Sequence, residues 1–144
     1  MKEITRDEAA ALETFIVSHD FFFIAGHKEP DGDAICSCLG VAALLEHFDR
    51  PYQLLSAGPF KRTELTPYAP LFTADVQFLS NEDRKHTGLI IVDCSELQRL
   101  GELNGDVSGI DTYVIDHHRT AACPAGARCY IDDSAPSTAN LIQQ

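Results

Sequence analysis

Three short segments hold most of the residues in this chain that could do chemistry. They are His27-Lys28-Glu29-Pro30-Asp31-Gly32-Asp33, then Asp93, then Asp116-His117-His118. Each follows an apolar, strand-like run. In a parallel α/β sheet such positions converge on one edge, where these sheets hold their ligands. Carboxylates gathered there repel one another and raise each other's pKa values unless cations lie among them. Carboxylate oxygens mixed with imidazole nitrogens suit Mn²⁺, with Mg²⁺, Co²⁺ or Fe²⁺ as alternatives. Two divalent ions about 3.5–4 Å apart clamp a phosphoryl group and activate water near neutral pH. The predicted chemistry is metal-assisted hydrolysis of a phosphoester.

Each residue also has a simpler account. Asp31 and Asp33 flank Gly32, and Pro-Asp-Gly-Asp makes an Asx turn and a helix N-cap equally well. Asp93, directly after Leu89-Ile90-Ile91-Val92, could merely end a strand; its functional reading needs the other two segments, which together let it bridge two cations. His117 and His118 are adjacent on an extended segment and so point to opposite sides. One can ligate a metal while the other faces a substrate, and Asp116 can fix a histidine through its second ring nitrogen. Arg119 and His118 are candidate phosphate donors; Arg119 is equally readable as a solvated side chain. Ser137 and Thr138 place hydroxyls at a helix N-terminus, which can bind phosphate, although N-capping is the simpler account. His19, His47 and His86 fall at helix ends or in polar loops and are read as incidental.

The elements that must position these residues follow from pattern. Thr5-Arg6-Asp7-Glu8 is a capping box that opens a helix running to about His19. Phe21 to Ala25 reads as a buried strand. Gly26 to Asp33 is a turn, with Asp33 capping a helix from about Ala34 to Phe48. Pro51 to Ala57 is a second strand. Pro67 and Pro70 break the stretch from Lys61 to Leu79, which should hold a short helix or irregular connection before a strand near Val76 to Leu79. Leu89 to Val92 is the clearest buried strand. A short helix over Glu96 to Leu103, a strand over Thr112 to Ile115, a loop over Ala121 to Arg128 and a strand over Cys129 to Ile131 follow. Ser137 opens a helix expected to be still running at Gln144. Strands alternating with helices predict an α/β fold, a parallel sheet with helices on both faces.

Bulk properties narrow the function. A chain of 144 residues suits one domain. The net charge is −11, and no Lys/Arg cluster exceeds Lys61-Arg62. A protein gripping long duplex DNA carries a basic face, so the expected partner is a small phosphorylated molecule. No apolar run is long enough to span a membrane and the first residues lack the apolar core of a signal peptide, so the cytoplasm is the expected location. The five cysteines, Cys36, Cys38, Cys94, Cys123 and Cys129, are odd in number and are expected to be reduced, mostly buried thiols.

With these motifs in place the chain resembles the DHH phosphoesterase superfamily. His27 to Ala34 match its first motif, Asp93 its second and Asp116-His117-His118 its third. The Pro-Asp-Gly-Asp form and the Ser137-Thr138 segment look most like the NrnA group, which degrades very short RNA and dephosphorylates 3′-phosphoadenosine 5′-phosphate. Family II inorganic pyrophosphatases are similar but usually carry Asn-Pro-Asp-Thr-Asp, which this chain lacks.

The resemblance implies a Rossmann-like DHH domain over residues 1–144 with two Mn²⁺ ions. It implies one ion on His27, Asp31 and Asp93, and the other on Asp33, Asp93 and His117. Asp93, Asp116 and His118 take the catalytic roles, and Arg119, His118, Ser137 and Thr138 bind substrate. The family usually has Gly where Cys36 stands. It also has a fourth motif with a further metal-binding aspartate, at neither Asp132 nor Asp133, and a second, substrate-gripping domain. The 144 residues are therefore expected to be a truncated form with weak metal binding and little activity. Short RNA oligonucleotides or nucleoside bisphosphates are the expected partners, with a homodimer possible. A cyclic-dinucleotide phosphodiesterase is the alternative enzyme, and a non-catalytic nucleotide- or partner-binding domain the alternative class.

Overall fold

The computed structural model describes residues 2–76 and 80–144. Aromatic and β-branched runs form its strands: β1 (Phe21–Ala25), β2 (Tyr52–Leu55), β3 (Thr87–Val92), β4 (Asp111–Asp116) and β5 (Arg128–Ile131). They pair in parallel in the order β2-β1-β3-β4-β5. The helices are α1 (Arg6–Val17), α2 (Gly32–His47), α3 (Asn81–Lys85) and α4 (Thr138–Ile142). The α/β fold read from the sequence is the one observed.

Successive side chains of a strand face opposite sides, and the core divides accordingly. On one face Phe22, Ile24, Ile90, Val92 and Ile115 pack with Phe15 and Ile16 of α1, Val41 and Leu45 of α2 and Leu141 of α4. On the other, Phe23, Ala25, Leu89, Ile91 and Val114 pack with Val76, Leu100 and Ile110. That second face is covered by connections and a 3₁₀ turn over Leu97–Leu100, where a longer helix over Glu96 to Leu103 was expected. Gly101, at φ +83°, ends the turn early. The segment Thr63–Leu71 is also 3₁₀ and contains Pro67 and Pro70. The strand expected near Val76 to Leu79 falls largely on residues 77–79, which lie outside the described residues.

Other expectations need correction. Asp31, not Asp33, is the N-cap of α2: its side chain accepts from the Ala34 N–H at 2.9 Å, so the helix begins at Gly32. α4 ends at Ile142, with Gln143 as its C-cap. Cys123 and Cys129 form a disulfide, not two reduced thiols. The turn between them brings their Cα atoms to 5.8 Å, within reach of a disulfide. Cys36 is exposed, and only Cys38 and Cys94 are buried free thiols. His19 is buried, with Nδ1 on the Phe15 carbonyl at 2.8 Å and Nε2 on Asp111 at 2.9 Å. It ties α1 to β4 and lies apart from the site residues. The capping box forms as read, with Glu8 N–H to Thr5 Oγ1 at 3.1 Å and Thr5 N–H to Glu8 Oε2 at 2.9 Å. Among the described residues no helix is long and apolar enough to cross a membrane.

Candidate metal centre

The strand order reverses between β1 and β3, because α2 carries the chain from β1 outward to β2 while the later strands add on the opposite side. Ligands of open parallel sheets sit beyond the strand ends at such a switch point. His27 follows β1, Asp93 follows β3, and Asp116 to His118 end β4. β3 is buried along its whole length, so Asp93 lies at the centre of the edge, 1 % exposed and at φ +62°. Its N–H donates to the Ile115 carbonyl at 3.0 Å. Aspartate tolerates this left-handed conformation better than most residues.

Asp93 faces two ways. Its Oδ2 lies 3.4 Å from His27 Nε2, which also stands 3.6 Å from Asp31 Oδ1. Its Oδ1 lies 3.6 Å from His117 Nε2, which stands 3.4 Å from Asp33 Oδ2. These separations are too long for good hydrogen bonds. They are near those of donor atoms sharing one small cation with bonds of about 2.0–2.2 Å. Candidate ligand atoms of His27, Asp31 and Asp93 fall within 4.8 Å of one another, as do those of Asp93, His117 and His118.

The histidines are set for ligation. His27 Nδ1 lies 2.8 Å from the Lys28 carbonyl and His117 Nδ1 lies 3.3 Å from the Ala135 carbonyl. A carbonyl only accepts, so each Nδ1 carries the hydrogen, and in the neutral ring the Nε2 lone pair then faces the carboxylates. Among the described residues no Lys or Arg forms an ion pair with Asp31, Asp33, Asp93 or Asp116. Hard oxygen donors, lone-pair nitrogens and this lack of ion-paired cationic side chains fit divalent cations.

Neighbouring groups hold the ligands in place. Asp33 accepts from the N–H groups of Thr138 at 3.0 Å and Ala139 at 2.9 Å, and from Ser37 Oγ at 3.3 Å. Thr138, fully buried, donates its hydroxyl to Asp93 Oδ1 at 3.1 Å. Asp116 is fully buried; its Oδ1 accepts from the His117 N–H at 2.8 Å and from His118 Nδ1 at 2.6 Å, while Oδ2 has no hydrogen-bond partner among the described residues. His118 is thus oriented by Asp116, and its Nε2 remains for a ligand.

Electrostatics follow the crowding. Burial pushes the Asp93 carboxyl up; His27 pulls it down, and the charges of Asp33 and Asp31 push it up further. His27 is raised chiefly by Asp93, against a lowering by burial. Burial would raise Asp31, but the Ala34 N–H, His27, Asp93 and Arg62 hold it below the ordinary carboxylate range.

The structure therefore gathers His27, Asp31, Asp33, Asp93, Asp116, His117 and His118 at one edge. Thr138 joins them, but with its hydroxyl spent on Asp93. Ser137 caps α4 by accepting from the Asn140 N–H at 3.2 Å, and its hydroxyl donates to Asn140 Oδ1 at 2.6 Å. Arg119 is exposed, with no side-chain hydrogen bond or ion pair among the described residues. Sequence reasoning missed Ser37, whose i+4 spacing from Asp33 inside α2 was the available signal. It also missed Arg62 and Arg99, which share a cleft of about 380 Å³ with His27, Lys28, Glu29 and Asp31.

The DHH family, N-terminal domain, matches residues 22–144. A probable manganese-dependent inorganic pyrophosphatase of Staphylococcus epidermidis is 34% identical over 101 residues, covering 67% of this chain and 31% of its own length. The cyclic-di-AMP phosphodiesterase PdeA of Listeria monocytogenes is 31% identical over 147 residues, covering 93% of this chain and 22% of its own. An exopolyphosphatase-related protein from Bacteroides fragilis superposes with a TM-score of 0.76 at 21% identity, over 99% of this chain and 43% of that one, and shares its fold. The chain spans less than a third of the length of these curated relatives.

Proposed function

The chain belongs to the DHH family through its N-terminal domain, and from that premise we propose that it is the metal-binding half of a manganese-dependent phosphoesterase. The observation that carries this reading is the two-sided setting of Asp93 between His27 with Asp31 and His117 with Asp33. In this proposal His27, Asp31 and Asp93 hold one ion, and Asp33, Asp93 and His117 hold the other. The ions, when bound, neutralise the carboxylates, polarise phosphoryl oxygens and lower the pKa of water. Asp116 keeps the His118 ring in place, so that Nε2 meets a phosphoryl oxygen of the substrate. Thr138 and Ser37 keep Asp93 and Asp33 from turning away.

The proposed substrates are short oligoribonucleotides and 3′-phosphoadenosine 5′-phosphate. The Pro30-Asp31-Gly32-Asp33 form of the first motif and the Ser137-Thr138 segment support that choice. A second reading, hydrolysis of a cyclic dinucleotide, is favoured by the relative PdeA, whose similarity runs over 93% of this chain.

The test is product release from 3′-phosphoadenosine 5′-phosphate, an RNA dimer, pyrophosphate and cyclic di-AMP, with and without Mn²⁺. Weak product release that needs Mn²⁺ and vanishes in Asp93→Ala is the expected result, and the preferred substrate separates the readings. Binding of no Mn²⁺ by the wild-type chain would sink the metal centre itself.

A further inference from the structure

Three connections meet beside the carboxylate edge, one after each of β1, β2 and β3. The Lys28 N–H donates to the Arg99 carbonyl at 2.7 Å, and the Glu29 N–H donates to the Gly58 carbonyl at 3.0 Å. Gly101 makes the close approach possible: a Cβ there would stand 2.9 Å from Lys28 Cβ and 3.0 Å from Ala57 Cβ. The cleft among these connections measures about 380 Å³ and opens directly on His27 and Asp31.

Its lining is richer in cations than the chain as a whole. Lys28, Arg62 and Arg99 all line it, in a chain with 11 Lys and Arg against 22 Asp and Glu. All three side chains are exposed, and among the described residues they make no side-chain hydrogen bond or ion pair. The cleft's two acids are occupied: Glu29 pairs with Lys61 at 2.8 Å, and Asp31 caps α2 beside His27. Elsewhere cations are mostly engaged, as in Lys2 with Glu8, Lys85 with Glu82, and Arg50 on the carbonyls of Ile16 and Phe48. Three uncommitted cations from three different connections form an anion-selective wall, and guanidinium groups suit phosphate through paired N–H donors.

We propose that Lys28, Arg62 and Arg99 form a second anion subsite, which takes a non-scissile phosphate of a substrate carrying two phosphates while the other lies at the metal centre. This rests on the phosphoesterase reading above. The subsite makes a doubly phosphorylated ligand the preferred class and fixes its direction, with the non-scissile group on the His27 side.

The test uses phosphonates, whose carbon–phosphorus bonds a phosphoesterase does not cleave. Methylphosphonate, methylenediphosphonate and 1,4-butanediphosphonate are titrated calorimetrically into the chain with Mn²⁺. The wild-type chain should bind at least one diphosphonate tenfold or more tighter than methylphosphonate. At saturating Mn²⁺, Arg62→Gln/Arg99→Gln should erase that advantage, with less than a twofold change for methylphosphonate, and Lys28→Gln should erase part of it. The better spacer tells whether the two phosphates are adjacent, as in a diphosphate, or separated, as in a nucleoside bisphosphate. Equal losses for all three probes, or no loss, would overturn the proposal. If methylphosphonate binding shows no dependence on Mn²⁺, the metal reading has failed. Metal-free diphosphonate binding then decides the subsite alone, since it must weaken in the double variant.

Discussion

Asp93 is the residue on which the site turns, and its charge is a burden to the metal-free fold. A carboxyl with a raised folded pKa adds stability below its unfolded pKa and loses it as pH rises through the folded value. Once ionised, the buried group therefore weighs against the fold. Asp93→Asn keeps the shape and tolerates the positive φ, so the metal-free chain should melt no lower than wild type while its Mn²⁺ affinity falls at least a hundredfold. Calorimetric melting and Mn²⁺ titration check both halves. Thr138→Val removes the hydroxyl that Asp93 Oδ1 accepts. It should lower stability by about 1–3 kcal/mol in urea unfolding and weaken Mn²⁺ binding roughly 10- to 100-fold. The site's acids and histidines were readable from the sequence because each follows an apolar run at a strand end. Thr138 was readable only as a cap or a phosphate ligand. Its real partner lies 45 residues away, and nothing local in a Ser-Thr pair signals a distant carboxylate. Arg62 and Arg99 sit in two separate connections, so their meeting beside Lys28 had no pattern to announce it.

At the scale of elements, the strands were the readable part. Leu89 to Val92 is apolar throughout because β3 is central and covered on both faces. The connections were harder, since a 3₁₀ turn such as Leu97–Leu100 differs from a short helix by little beyond the glycine that ends it. The Cys123–Cys129 bridge was missed for a similar reason: counting cysteines says nothing about a turn that folds six residues back. Close packing sets a further expectation. A Cβ on Gly88 would stand 2.6 Å from the Phe22 ring and 3.2 Å from that of Phe15. Gly88→Ala should overpack the junction of β1, β3 and α1 and cost about 1–3 kcal/mol, measured by urea unfolding. The thiols divide by element as well. Burial raises Cys38 in α2 and pushes Cys94, just after β3, up to about 12, whereas Cys36 faces solvent. A thiol reagent at pH 8 should label Cys36 at once and reach Cys38 and Cys94 only on unfolding.

For the whole molecule, the proposed metal centre would make divalent cations a folding ligand in a chain of net charge −11. An ion that binds only the native state at a hundred times its dissociation constant adds about 2.7 kcal/mol. At about 2–4 °C per kcal/mol for a chain near this size, Mn²⁺ should raise the melting temperature by about 5–10 °C. Chelation by EDTA should reverse the shift, and Asp93→Ala should abolish it.

Asp33 is held by backbone groups of Thr138 and Ala139, which lie 105 and 106 residues further along the chain. Contacts of such wide separation form only after a large loop has closed. A chain emerging from the ribosome thus exposes its first-motif acids long before the segment that steadies them exists. The support of Asp33 is therefore acquired late in maturation. An ion held on Asp33, Asp93 and His117 would certify that residues from both ends of the domain have met.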